Sequence, residues 1–260
     1  MKKTLHLAMT MSMAASLVTP MAAFAMEPVS ATQVKTDSVQ VCTDRTMKWE
    51  AEWAERQVKE ADRLAKNRAE QDARFTKNRD EWNAKLLSNR NEAEAKRLEN
   101  RAKQDAKLAE RNASEALKAA VAAYRAAIDA AVSARKSSVD AANASFKTAH
   151  EASLATRRSA IDSAIAARKS AIEAAYKEWQ ARCNGTAEER KAANEKFRAA
   201  VKTAREAFYK SAQTAQDTHK STMKSAQDTR QAAVKAALET YKKAVESAQV
   251  AFKAAKEAAK

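Results

Sequence analysis

Written in rows of eleven from Ala116, the middle of the chain reads ALKAAVAAYRA, AIDAAVSARKS, SVDAANASFKT, AHEASLATRRS, AIDSAIAARKS, AIEAAYKEWQA. The large apolar side chains fall into three columns. Leu117, Ile128, Val139, Ile161, Ile172 and Cys183 form one, Val121, Val132, Leu154, Ile165 and Tyr176 the next, and Tyr124, Phe146 and Trp179 the third. Steps of four, three and four between columns return to one face of a helix. Eleven residues in three turns is ~3.67 per turn, so helices with this repeat pack nearly straight, with a slight right-handed supercoil. The pattern continues on both sides. Trp53, Leu64, Phe75, Leu86, Arg97 and Leu108 are spaced by eleven, as are Phe197, Phe208, His219, Arg230, Tyr241 and Phe252, and Val201, Ala212, Met223, Val234 and Val245. A second series, Asn67-Arg68, Asn78-Arg79, Asn89-Arg90 and Asn100-Arg101, runs beside the first.

This period excludes strands, and composition agrees. One glycine and two prolines leave nothing after Pro28 except Gly185 to punctuate hairpins, and helix-forming Ala, Lys, Arg, Glu and Gln dominate. The expectation is an all-α fold, a long antiparallel three-helix bundle built on the eleven-residue repeat. Two interruptions mark its turns. At Asn184-Gly185-Thr186, Gly185 suits a left-handed residue after a helix, and Thr186 with Glu189 makes a capping box for the next. At 112–115, Asn112 reads as an N-cap with Glu115 at the third helical position. These breaks give helix 1 over 44–111, a turn and helix 2 over 112–183, and a turn and helix 3 over 184–260.

The N-terminus reads as a leader, not as fold. Lys2 and Lys3 precede a short apolar run, and Ala23-Phe24-Ala25 forms a small-x-small cleavage site, which assigns 1–25 to a signal peptide and 26–43 to a flexible segment. The expected address is outside the cytoplasm of a bacterium, in the periplasm or at the cell surface. Cys42 and Cys183 are the only cysteines. In an exported chain an even count favours a disulfide. Folding back near Asn112 brings the start of helix 1 beside the end of helix 2, so the pair is expected to close within one chain. The same fold gathers Trp49, Trp53, Tyr176 and Trp179 at the bridged end, as an aromatic cap or as a patch for docking a partner.

Formal charge is +15. Much of it can be paired at i,i+4: Arg68–Asp72, Arg90–Glu94 and Arg101–Asp105 in helix 1, and Arg125–Asp129, Lys136–Asp140, Lys147–Glu151, Arg158–Asp162 and Lys169–Glu173 in helix 2. Helix 3 keeps the largest basic excess, a surface for anionic polymers such as wall polymers, or for a membrane surface. Nucleic acid is not expected, since no recognisable binding fold accompanies the charge. Reflection through the turn at 184–185 sets His150 and His219 at one height with Phe75, which raises a two-histidine metal site against the plainer reading of polar residues interrupting an apolar stripe. No glycine-rich phosphate loop, nucleophile elbow or paired acids in an apolar pocket is legible, so neither enzymatic activity nor a cofactor is expected.

In period and composition, TAQDTHKSTMKSAQDTRQAAVKAA (214–237) resembles the late-embryogenesis proteins, and eleven-residue helical repeats also occur in exchangeable apolipoproteins. The apolar columns and the cysteine pair depart from chains that stay disordered. The expected role is a non-enzymatic exported structural protein, an envelope spacer, scaffold or filament subunit working by self-association or with another envelope protein. The alternative is a basic binding module, chaperone-like or holding anionic polymer or lipid surface.

Overall fold

A computed structural model describes residues 38–259, with side chains from Cys42 onward. The chain forms three helices: α1 Ser38–Glu110, α2 Glu115–Ala181 and α3 Ala187–Ala258. At 73, 67 and 72 residues they are closely matched in length. With ~1.5 Å rise per residue each is roughly 100–110 Å long. The expected leader and residues 26–37 lie outside the described residues. From Ser38 the remainder of the N-terminal segment is already helical, which carries Cys42 into α1.

The first turn is built differently from its sequence reading. Asn112 is not an N-cap; it takes φ 45°, the left-handed conformation. Its N–H donates to Ala109 O at 3.0 Å and the Ala113 N–H donates to Leu108 O at 3.0 Å, the paired bonds of a Schellman ending to α1. Asparagine tolerates that conformation better than most residues. The N-cap of α2 is Ser114, whose side chain accepts from the Leu117 N–H at 3.3 Å.

The second turn holds the capping box. The Glu189 N–H donates to Thr186 Oγ1 at 3.2 Å, and the Thr186 N–H donates to Glu189 Oε2 at 2.7 Å. Gly185, however, does not have a positive φ. Its lack of a side chain serves a different end, because a Cβ there would lie 2.4 Å from Glu189 Oε2 and 3.1 Å from Glu189 Cβ. The glycine makes room for the carboxylate that folds back to cap α3.

α2 and α3 pack antiparallel with their backbones close together along their length. Small residues make this possible. Ala120, Ala131, Ala142, Ser153 and Ala164 are buried at intervals of eleven on α2, and Ala193, Ala204, Ala215, Ala237 and Ala248 on α3, where the half-buried Ala226 fills the remaining step of the same spacing. Larger buried side chains on these two helices are few: Arg168, Ile172, Tyr176 and Met223.

α1 is attached in another way. Beyond Thr46 none of its residues is buried, and its backbone rarely comes within 8 Å of α2. The gap is spanned by arginines and carboxylates. Arg68 holds Asp162 (2.6 and 3.2 Å), Arg90 holds Asp140 (2.6 and 3.1 Å) and Arg101 holds Asp129 (2.5 and 2.9 Å). In the opposite sense, Arg158 holds Asp72 (2.6 and 3.2 Å) and Arg125 lies 2.8 Å from Asp105. These forks replace the i,i+4 pairs expected within each helix. Arg68–Asp72, Arg101–Asp105, Arg125–Asp129 and Arg158–Asp162 all separate so that each member bonds across the seam. Asp140 takes Arg90 in place of Lys136, and Glu94 bonds Arg97. Only Lys147–Glu151 and Lys169–Glu173 persist within α2, at 3.8 and 3.9 Å. The physical reason is geometric. A planar guanidinium engages both carboxylate oxygens best head-on, which a residue on the facing helix offers and one a turn away does not.

Candidate binding surfaces

Three regions carry the chemistry that the fold leaves over. The first is the bridged end. Cys42 and Cys183 are joined by a disulfide, with Cα atoms 5.9 Å apart. Above it Trp49 stacks on Tyr176 with ring centroids 3.6 Å apart and on Trp53 at 5.3 Å, and Tyr176 stacks on Trp179 at 5.6 Å. Three of the four polar tips have a partner. Trp53 Nε1 donates to Glu173 Oε1 at 3.2 Å, Trp179 Nε1 to Asn194 Oδ1 at 2.7 Å, and the Tyr176 hydroxyl to Thr46 O at 3.2 Å. Burial pushes the Tyr176 phenol up to about 12. The four aromatic residues singled out in the sequence therefore sit together, joined by one that was not. Phe197 meets Trp49 and Tyr176 edge-on, each at 6.3 Å. Reflection through the Gly185 turn sets Phe197 close to Tyr176, so the signal was available in its eleven-residue column. The Trp53, Tyr176 and Trp179 donors are thus satisfied within the bundle.

The second region is the histidine level at mid-length. His150 lies flat on Phe75, ring centroids 4.1 Å apart and planes 6° from parallel. The His150 and His219 ring centroids are 6.2 Å apart. His219 Nδ1 is 2.8 Å from Ser153 Oγ, while His150 Nδ1 is buried without a hydrogen-bond partner. Burial is the main cause lowering the pKa of both imidazoles, with Arg157 and His150 adding repulsion at His219. Among the described residues no three or more His, Cys, Asp or Glu side chains converge on one point. His150 and His219 thus meet as neighbours, with the donor set of a two-residue contact.

The arginine–carboxylate ladder falters at this level. By its register Arg79 should face Glu151, but Arg79 bonds the adjacent Asp80 at 3.3 Å and Glu151 stays with Lys147. Other polar interruptions of the apolar columns find one another. Arg230 Nε donates to Asn143 Oδ1 at 2.8 Å, with its guanidinium over Phe146 and Trp82. Arg97 bridges Glu94 and Asp129.

The third region is the outer surface of α3. Its ion pairs are internal to the helix and exposed: Lys202–Glu206, Lys220–Asp217 and Lys242–Glu239. Lys196, Arg198, Arg205, Lys224, Lys235 and Lys243 are exposed and make no ion pair with a described residue. No helix among the described residues is long and apolar enough to cross a membrane. Comparison with protein families, with curated proteins and with solved structures finds no match to this chain.

Proposed function

We propose that the protein is a non-enzymatic exported rod, an envelope spacer or scaffold that works by lateral helix–helix association with itself or another envelope protein. The observation that carries this reading is the outward face of α1. Val58, Leu87 and Leu98 are each more than half exposed, at 60%, 61% and 55%. Leu87 and Leu98 stand eleven residues apart and so share one face. A helix that buries none of its middle and displays leucines at the repeat spacing has a face left for a further helix. The disulfide is compatible with an oxidising compartment outside the cytoplasm. Sedimentation with solution scattering tests the reading. A defined oligomer or filament that dissociates on Leu87→Glu with Leu98→Glu supports it, and a monomer at high concentration removes it.

A second reading rests on the unpaired cations of α3, which suit anionic wall polymer or an anionic lipid surface. Binding to wall fragments or anionic vesicles that weakens steeply with salt supports it. Binding unaffected by salt, or none, counts against it.

A further inference from the structure

One column of α2 contains three arginines, Arg135, Arg157 and Arg168, at positions where its other members are Tyr124, Phe146 and Trp179. Arg168 is buried and satisfied. It forks onto Glu60 (2.5 and 2.7 Å) and lies 4.7 Å from the centre of the Phe208 ring. Arg135 lies 4.6 Å over Tyr241. Arg157 has neither kind of partner. One repeat along from the Arg168 level, Gln71 stands where Glu60 stood and His219 where Phe208 stood. Arg157 is half-buried, its Nε is enclosed with no hydrogen-bond partner, and it forms no ion pair with a described residue. Burial, and then repulsion from Arg158 and Arg68, lower its pKa. An enclosed cation with cations for neighbours is unfavourable unless something of opposite charge joins it.

A cavity of about 650 Å³ opens at this point between α2 and α3. Arg157, Lys210 and His219 line it, with the hydroxyls of Ser211, Thr218 and Thr222, and no carboxylate and no α1 residue does so. Two further hydroxyls are already committed, Thr156 donating to Ala152 O and Thr214 to Lys210 O, each at 3.0 Å. When Ser153 donates to His219 Nδ1, the imidazole keeps its Nε2–H as a donor. Cations and free hydroxyls without a carboxylate are a donor set for an oxyanion. The volume, within the range of small-molecule sites, exceeds what a bare ion fills.

We propose that the groove at Arg157, Lys210 and His219 is a binding site for a phosphate group carried on a small polyol or headgroup. Arg157 supplies the charge-assisted fork, Lys210 a second charge, and His219 with the free hydroxyls the remaining donors. The site stands apart from the lateral-association face, on α1, and from the diffuse charge of α3, since it depends on one half-buried arginine.

The test is a titration of the full oxidised chain at low ionic strength with inorganic phosphate and with glycerol 3-phosphate, beside flotation with phosphatidylglycerol vesicles. It is read by the His219 imidazole resonance and by Tm. Expected is saturable binding, with chloride at equal ionic strength inactive, weakened about tenfold or more by Arg157→Gln. Arg157→Lys should retain part of it, and the exposed surface change Lys243→Gln should leave it intact. Glycerol 3-phosphate binding indicates a soluble source, and vesicle binding alone, if lost in Arg157→Gln, a lipid headgroup. Without phosphate, Arg157→Gln should melt no lower than the parent, because it removes an uncompensated charge. Should that variant not fold, Lys210→Gln replaces it, with the same expected weakening. The proposal is overturned if no probe binds up to about 50 mM, a free energy of only about 2 kcal/mol. It is overturned equally if binding survives unchanged in Arg157→Gln.

Discussion

The α2–α3 seam and the α1–α2 seam are made from the same repeat and hold their helices by opposite means. Between α2 and α3 the facing residues are alanines, and the backbones come together until small side chains fill the space. Between α1 and α2 the facing residues are arginines and carboxylates, which need a wider gap and bridge it with forked hydrogen bonds. A close seam gains dispersion contact along its alanine layers. A wide one gains partly solvated ion pairs, each worth about 0–1 kcal/mol. One helical pair is therefore intrinsically cohesive, and the third helix depends on a series of ion pairs, on aromatic stacks at its bridged end and mid-length, and on one covalent bond.

The largest effect should come from cutting that bond. The disulfide spans 141 residues, for which loop entropy suggests about 5 kcal/mol. Reduction, or Cys42→Ala with Cys183→Ala, should raise hydrogen exchange throughout α1 while α2 and α3 keep their protection. Uniform loss in all three helices would break the comparison. Next comes the alanine seam. Ala204→Leu, at a buried position away from the cavity, forces close-packed backbones apart and should cost about 1–3 kcal/mol. Ala65→Leu, on the exposed side of α1, should stay within about 0.5 kcal/mol. Equal costs would mean the two seams are not packed differently.

The histidine level sharpens the picture by pH. Burial lowers both imidazole pKa values from 6.5, so below that pH the unfolded chain takes up protons more readily than the folded one. Stability is complete above about pH 6.5 and falls as acid is added, down through the lowered folded values. Groups adding to or opposing this are Glu151 near His150 and Arg157 near His219. His150→Phe keeps the stack on Phe75, removes an unsatisfied buried nitrogen and should stabilise by about 1 kcal/mol at neutral pH. Its Tm should also decline less on acidification. Smallest is the ladder. Arg90→Asp should lower stability by about 1 kcal/mol or less, and adding Asp140→Arg should restore most of it. Thermal melts of both variants at low and high salt check this, with the difference shrinking at high salt.

Where the sequence reading failed, the failures share a cause. Arg68 and Asp72 are four residues apart, and so are Arg158 and Asp162. That spacing suits an intrahelical pair and two rungs between helices equally well. Only the distance between α1 and α2 decides which forms. The Asn112 and Gly185 turns were legible as breaks, but not the conformation each residue would take. Gly185 is needed for the approach of Glu189, and a close approach is not written in local propensity. Arg157 was invisible for the same reason. As one member of a column it looks like Arg168, and it differs only in what faces it.

The eleven-residue period by itself determined the secondary structure, because apolar side chains spaced three and four apart can share a face only on a helix. With two cap signals and one cysteine pair it also indicated where the chain reverses. Tertiary structure alone decided which faces would touch through alanine and which through arginine, and so where a charge is left enclosed without a partner. Those outcomes depend on distances between helices, set by all the layers together and carried by no single residue.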